Sequence, residues 1–340
     1  MSKTPYISVM MPVYNCEQYV REAIESILKQ SLSDFEFIII NDGSTDNTPE
    51  ILNEYANRDS RIKIINQDHS AIGDIPRYAI ALNRGLYEAK GKWIFRMDGD
   101  DISLPDRFAI QLEAINKNPA LVLLGGWCQQ INLEGLPLKI NKFPARNKNL
   151  INELKAFKAP CPHPTACFRR DLSLKLGGYR ERFCPAEDFD LWFRLSSYGE
   201  LGCCQRVILK LRKHSENVSD LDSGRLQPIR AIAAYICNFR GELGLSNHMG
   251  EEEWNEFLMW IELRLEEERF FKQVIGWQSL RSIWLTKLKE NKLKKMLMII
   301  ELLKSNHLVI NALIKNFKKE NIALKLAIES EDIFNDKETI

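Results

Sequence analysis

The sequence predicts an α/β fold, a mostly parallel central sheet flanked by helices, followed by an all-helical C-terminal region. Three observations carry this. Apolar, β-branched runs alternate with helical-period segments as far as Gly125, the rhythm of βα units joined by right-handed crossovers. Acidic clusters directly follow several of those runs, at the strand ends where open α/β sheets bind ligands. Beyond about residue 221 strand-like runs vanish and helical periodicity continues to the end. The predicted division is 1–220 for the α/β domain and 221–340 for the helical one.

The elements follow in order. Ile7 to Val13, Phe35 to Ile40, Arg61 to Asn66, Lys92 to Met97 and Leu121 to Gly125 read as strands. Between the first two, Val20, Ile24, Ile27 and Leu28 make one apolar helical stripe. Thr48-Pro49-Glu50 supplies a cap, a proline and an acidic first turn for a helix running to about Asn57. Ser103-Leu104-Pro105 signals another helix start. From about residue 160 the pattern loosens into loops rich in Pro and Cys, before a helix carrying Asp188, Leu191, Trp192 and Leu195.

Composition bounds the function. A chain of 340 residues with 45 % hydrophobic content can bury one large core and a smaller second one. Lys and Arg total 47 against 46 for Asp and Glu, a net charge of +1, so no global field selects nucleic acid as a partner. The N-terminus, Met1-Ser2-Lys3-Thr4-Pro5-Tyr6, lacks the pattern of a signal peptide, and no run of about 18 apolar residues occurs. A cytoplasmic protein is expected. Its eight cysteines form no C-x-x-C pair, so reduced, mostly buried thiols are expected.

The sharpest motif is Arg96-Met97-Asp98-Gly99-Asp100-Asp101, three carboxylates in four residues at the end of a strand. Such carboxylates repel unless a cation or donors neutralise them. Hard ions such as Mg²⁺ or Mn²⁺ are held by one or two carboxylates plus substrate phosphates. An acidic turn that merely caps the next helix is the competing reading of the residues alone. Two further loops open on the same edge: Met11-Pro12-Val13-Tyr14-Asn15, and Asn41-Asp42-Gly43-Ser44-Thr45-Asp46. Glycine-rich phosphate loops of the G-x-x-x-x-G-K-S/T and G-x-G-x-x-G kinds are absent, which leaves phosphate to be bound through metal.

Taken together, these three segments resemble, in order and interval, the N-terminal signatures of family 2 glycosyltransferases of the GT-A fold. Gly177-Gly178-Tyr179-Arg180-Glu181 and Ala186-Glu187-Asp188-Phe189-Asp190-Leu191-Trp192 resemble that family's acceptor-side motifs. The resemblance covers residues 5 to about 220 and implies a Rossmann-like, nucleotide-sugar-binding fold. It implies that Asp42 bonds the nucleobase, with Pro12 and Tyr14 lining the pocket and Glu17 nearby. It places Asp98 toward the nucleotide, Asp100 on a Mn²⁺ or Mg²⁺ ion, and Arg77 toward the base or diphosphate. His214, within Leu211-Arg212-Lys213-His214-Ser215, falls where the family supplies a metal-binding His, and His163 near the acceptor floor. Asp68-His69-Ser70 departs from the family's common Asn-x-Gly approach, and His69 reads as a loop residue.

Sugar transfer to a hydroxyl needs a base, and a desolvated carboxylate has its pKa raised toward that use. Asp188 is the expected base. Glu187 orients it or the acceptor, while Asp190 faces solvent or pairs with Arg194 one turn on. The expected reaction moves one sugar from a nucleotide-diphosphate sugar, UDP-linked by preference, to a saccharide or lipid-linked acceptor with inversion, in surface polysaccharide or glycoconjugate synthesis. The Gln-x-x-Arg-Trp signature of processive synthases is absent. Two alternatives are a sugar nucleotidyltransferase, which would want a basic phosphate loop near the first strand, and a catalytically inactive nucleotide-sugar-binding scaffold.

Residues 242–268 hold nine acids and one Arg, and residues 281–325 eleven bases and three acids. An apolar stripe of Leu293, Met296, Leu297, Ile300 and Leu303 flanked by lysines is expected either to lie on an anionic membrane face or to form a helical subdomain or homo-oligomer interface.

Overall fold

The computed structural model describes residues 5–69, 71–72, 75–76, 78–155, 158–213, 223–242 and 250–267. Arg77, His214 and the 293–303 stripe lie outside the described residues, as does the expected boundary at 220. The chain divides into two units, residues 1–154 with 158–213, and residues 155–157 with 214–340.

The first unit holds strands β1 (Ile7–Val13), β2 (Phe35–Asp42), β3 (Ile62–Gln67), the short pair β4 (Ala71–Ile72) and β5 (Ile75–Pro76), β6 (Trp93–Arg96), β7 (Ile102–Ser103), β8 (Leu121–Ile131), β9 (Pro137–Asn141), β10 (Cys167–Arg169) and β11 (Glu200–Arg212). Helices α1 (Val20–Leu28), α2 (Thr48–Arg58), α3 (Tyr78–Glu88), α4 (Arg107–Lys117), α5 (Asn147–Lys155), α6 (Arg170–Lys175) and α7 (Glu187–Ser196) lie between them in sequence. The main sheet runs β3-β2-β1-β6-β10-β8-β11-β7, with β9 attached to β8. Strands β3, β2, β1 and β6 are parallel. The three-residue β10 is antiparallel to both β6 and β8, and two reversals restore the direction. The carboxyl ends of β1, β2, β6 and β8 therefore open on one edge.

Continuous apolar runs suit parallel strands covered on both faces. Ile7, Val9, Met10 and Met11 of β1 are fully buried, as are Phe37 to Ile40 of β2. Helix α1 buries Val20, Ala23, Ile24 and Ile27 on one stripe. Phe108 of α4 meets Phe35 and Phe95 edge-on at ring separations of 5.4 and 5.1 Å, a geometry that adds to the burial of each ring. None of the eight cysteines is joined in a disulfide, and seven are buried.

The structure adds six strands to the sequence reading: the two-residue β4, β5 and β7, and β9, β10 and β11. β9 and β10 are short, and the 13-residue β11 pairs in parallel with β8 through register shifts at Glu200/Leu201, Cys204/Val207 and Val207/Leu209. Bulges of that kind break the two-residue alternation on which strand recognition depends.

In the second unit, α8 (Ser223–Glu242) and α9 (Glu251–Glu267) are described. Arg230 of α8 lies over the Trp254 ring of α9, 5.6 Å from its centroid. Among the described residues no helix is long and apolar enough to cross a membrane.

Candidate active site

The first two strand ends are laced together by hydrogen bonds between their loops. Asn15, held at φ 48°, donates its N–H to Ser44 Oγ at 3.0 Å and accepts from Thr45 N–H at Oδ1, 2.8 Å. Glu17 N–H donates to Asp46 Oδ2 at 3.0 Å, and Cys16 N–H to Thr48 Oγ1 at 2.9 Å. The Glu17 carboxylate accepts from the Asn47 backbone and side chain at 2.9 and 2.6 Å. Glu17 is thus engaged at the start of α2.

Asp42, at the end of β2, is 6 % exposed. Its Oδ1 accepts from Gln67 Nε2 at 2.6 Å, and its Oδ2 lies 3.2 Å from His69 Nδ1. The His69 ring stacks on Tyr14, with centroids 3.8 Å apart and planes 14° from parallel. The structure thus brings Tyr14, Asp42 and His69 together, and His69 is more than the loop residue that its sequence context suggested. Gly43 makes this possible: at φ +73°, a Cβ there would meet His69 N at 2.6 Å. Pro12 lies beside β2, opposite Ile40 in the register.

The third loop leaves β6 through Asp98, Asp100 and Asp101. Gly99 packs against the end of β1, where a Cβ would meet Val13 Cγ1 at 2.8 Å. One oxygen from each aspartate lies within 4.8 Å of the others. Burial, then Asp100 and Asp98, push the Asp101 carboxyl well above its usual range. Asp101 Oδ1 accepts from Arg212 N–H at 2.8 Å, while buried Oδ2 has no hydrogen-bond partner. Converging oxygens, mutual repulsion and an orphaned buried acceptor fit a hard divalent cation, with ligand bonds of about 2.0–2.6 Å.

Two arginines hold this loop. Arg212 ends β11 and is 3 % exposed; its Nε donates to Asp100 O at 2.9 Å, Nη1 to Leu133 O at 2.8 Å, and Nη2 to Glu22 Oε2 at 2.7 Å. Arg107 is fully buried and donates from Nη2 to Arg96 O at 2.8 Å and from Nε to Gln111 Oε1 at 3.0 Å. Burial brings its guanidinium down to about 10.

The acceptor-side Glu187 and Asp188 lie within electrostatic reach of Arg96. The Arg96 Nη1 lies 2.5 Å from Asp98 Oδ1, and its charge also lowers the Glu187 and Asp188 carboxyls. Burial is the larger effect on both: it raises Asp188 to about 6, and burial with the neighbouring Asp188 charge raises Glu187 to about 8. Asp188 Oδ1 accepts from Phe189 N–H at 2.7 Å. Glu187 is 3 % exposed and its Oε2 has no hydrogen-bond partner. Burial, and then the charge of Glu187, push the hydroxyl of Tyr78, at the start of α3, well above its usual range. Sequence reasoning gave no role to Arg96, Arg212 or Tyr78.

Asp190 does not face solvent. It is fully buried between Arg194, at 2.6 Å, and Arg180, and these two cations overcome burial to hold it below the usual carboxylate range. Arg194 also donates to Leu176 O and Gly178 O at 2.8 and 2.7 Å. Asn83 brackets Tyr179, accepting its N–H and donating to its carbonyl. The Tyr179 hydroxyl meets His163 Nε2 at 3.0 Å. The Gly-Gly-Tyr turn is thereby fixed to α7 and α3.

Comparison with known proteins supplies the context. The family model described as glycosyl transferase family 2 matches residues 8–177. The O-antigen biosynthesis glycosyltransferase WbnJ of Escherichia coli is 39 % identical over 190 residues, 56 % of this chain and 71 % of that protein. S. aureus TarS 1–349, solved in complex with UDP-GlcNAc, superposes with a TM-score of 0.52 at 18 % identity, covering 82 % of this chain and 81 % of that one. The mannosyltransferase PcManGT of Pyrobaculum calidifontis, solved with GDP-Man and Mn²⁺, gives 0.52 at 15 % identity over 99 % of this chain and 89 % of that one. The two structures share the fold. On the family match and the relative at 39 % identity, the chain belongs to glycosyl transferase family 2 and is a glycosyltransferase enzyme.

Proposed function

We propose that this enzyme transfers one sugar from a nucleoside-diphosphate sugar to a saccharide hydroxyl by a single displacement, in the synthesis of a surface polysaccharide. The convergence of Asp98, Asp100 and Asp101 in one cluster, with Glu187 and Asp188 within electrostatic reach of the Arg96 that pairs with Asp98, carries this reading. Asp42, Tyr14, Pro12 and Glu17 form the base side of the donor site, and Asp98 faces the nucleotide. Arg77 is assigned to the base or diphosphate, and His214 to the metal, from the sequence alone.

A Mn²⁺ or Mg²⁺ ion, held by Asp100 with Asp98 and Asp101 around it, would neutralise the departing diphosphate. Asp188, with Oδ1 held by Phe189, takes the acceptor's proton at Oδ2. Glu187, neutral beneath about pH 8, is positioned to donate a hydrogen bond to the acceptor or to Asp188. A single displacement inverts the anomeric centre, the outcome that the resemblance to family 2 implies. Relatives named for O-antigen biosynthesis and chondroitin synthesis support the polysaccharide setting. Neighbours solved with UDP-GlcNAc and GDP-Man support a nucleotide-sugar donor.

Calorimetric titration with UDP, GDP and dTDP, each with and without Mn²⁺, tests the donor assignment. One nucleotide is expected to bind in a metal-dependent manner. Binding indifferent to metal, or none, would remove the donor role from the aspartate cluster.

A further inference from the structure

The β8–β9 hairpin carries an apolar surface that the transfer chemistry does not use. Leu133, Leu136, Leu138 and Ile140 are 46, 61, 48 and 47 % exposed. Leu138 and Ile140 lie on β9, Leu136 just before it and Leu133 in the turn, and a register shift between the pairs Ile131–Pro137 and Gln129–Ile140 interrupts the strand's alternation. Four large apolar side chains exposed within eight residues form a patch rather than scattered surface residues. The turn is firmly built: Asn132 N–H donates to Leu136 O at 3.0 Å, Gly135 N–H to Asn132 O at 3.0 Å, and Leu136 N–H to Asn132 Oδ1 at 2.7 Å.

Its place in the fold matters. β8 runs parallel to β1 and β6, so the turn at residues 132–136 projects from the edge that bears Asp98 and Asp42. Arg212 ties the two together, bonding the carbonyls of Leu133 and Asp100 with one guanidinium. The patch is therefore rigidly registered to the aspartate cluster.

We propose that this hairpin is a membrane-contact element that inserts Leu133, Leu136, Leu138 and Ile140 into the interface of an anionic bilayer. Charge selects the occupant. Residues 133–148 contain Lys139, Lys142, Arg146 and Lys148, all exposed, against the single acid Glu134, a balance complementary to anionic headgroups. A second copy of the chain fits less well. β9 pairs with β8 alone among the described residues, and its free edge carries Pro137 and Lys139, residues that oppose strand-to-strand pairing. A five-residue strand also offers far less area than the roughly 1,200 Å² of a stable interface. Seated in this way, the enzyme presents its donor edge to the bilayer, where a lipid-linked saccharide would meet it. The inference stands apart from the donor chemistry, which nucleotide calorimetry reads separately.

The test is co-sedimentation of the full chain with vesicles of phosphatidylcholine alone and of phosphatidylcholine with phosphatidylglycerol, at low and high salt. Binding to the anionic vesicles, released by salt, is expected. The pair Leu138→Ser/Ile140→Ser is expected to lose about ten-fold in vesicle affinity with nucleotide binding unchanged, and Lys139→Glu/Lys142→Glu to lose binding to anionic vesicles. Absence of wild-type binding, equal binding to both vesicle types, or undiminished binding by the Leu138/Ile140 variant would overturn the proposal. So would a concentration-dependent dimer in sedimentation equilibrium that this variant abolishes, which would make the hairpin a self-interface.

Discussion

The buried pair Glu187 and Asp188 makes a pH profile informative. Burial raises Asp188 to about 6, and burial together with the Asp188 charge raises Glu187 to about 8. Between these values the pair holds one proton, on Glu187, and Asp188 is the available base. Turnover is expected to rise with pH through about 6. At about pH 5, roughly a tenth of Asp188 is ionised, so kcat/KM should fall to about a tenth of its plateau. Above about 8, Glu187 loses its proton beside a charged Asp188, and the rate should decline, giving a bell. Glu187→Gln copies the neutral acid and should keep the limb near 6 while removing the one near 8. Initial rates of nucleotide release, measured across this range for both proteins, decide the matter. A wild-type rate flat from about pH 5 to 7, or an alkaline limb that survives Glu187→Gln, would refute the assignment.

Two further perturbations follow from the packing. Asp190→Asn leaves Arg194 and Arg180 without their buried carboxylate and should cost about 3–5 kcal/mol of stability, read as a lowered urea midpoint with unchanged slope. Arg212→Ala frees the carbonyls of Asp100 and Leu133; the Mn²⁺ concentration that supports nucleotide binding should rise at least about ten-fold, the usual effect of removing a group that orients metal ligands.

Much of the central fold was legible because the chain states it locally. The runs through Ile7–Val13 and Phe35–Asp42 are buried on both faces, so their apolar content is unbroken and their ends fall at acidic loops. β11 was hidden for the opposite reason. Gly202, the vicinal Cys203 and Cys204, and the exposed Gln205 and Arg206 interrupt it, and its bulges cancel the alternation. In the site, the spacing of Asp98, Asp100 and Asp101 was enough to suggest convergence, since four consecutive residues cannot separate far. Arg212 gives no such signal. Its role arises from a strand end 111 residues beyond Asp101 in sequence, and only the sheet order brings the two together. Likewise His69 gains its place from stacking on Tyr14 and from the absence of a Cβ at Gly43, neither of which a local pattern encodes.

The division of labour between the aspartate cluster and the Glu187–Asp188 pair is tested most directly by comparing Asp100→Ala with Asp188→Asn in two assays, nucleotide-sugar binding and nucleotide release, both with Mn²⁺ present. Asp100→Ala should lose binding and release together. Asp188→Asn should bind the donor as the wild type does while release to acceptor falls by about 10²–10⁴-fold. Equal loss of donor binding in both variants, or near-normal transfer by Asp188→Asn, would contradict the assignment of donor chemistry to the aspartate cluster and of acceptor chemistry to Asp188.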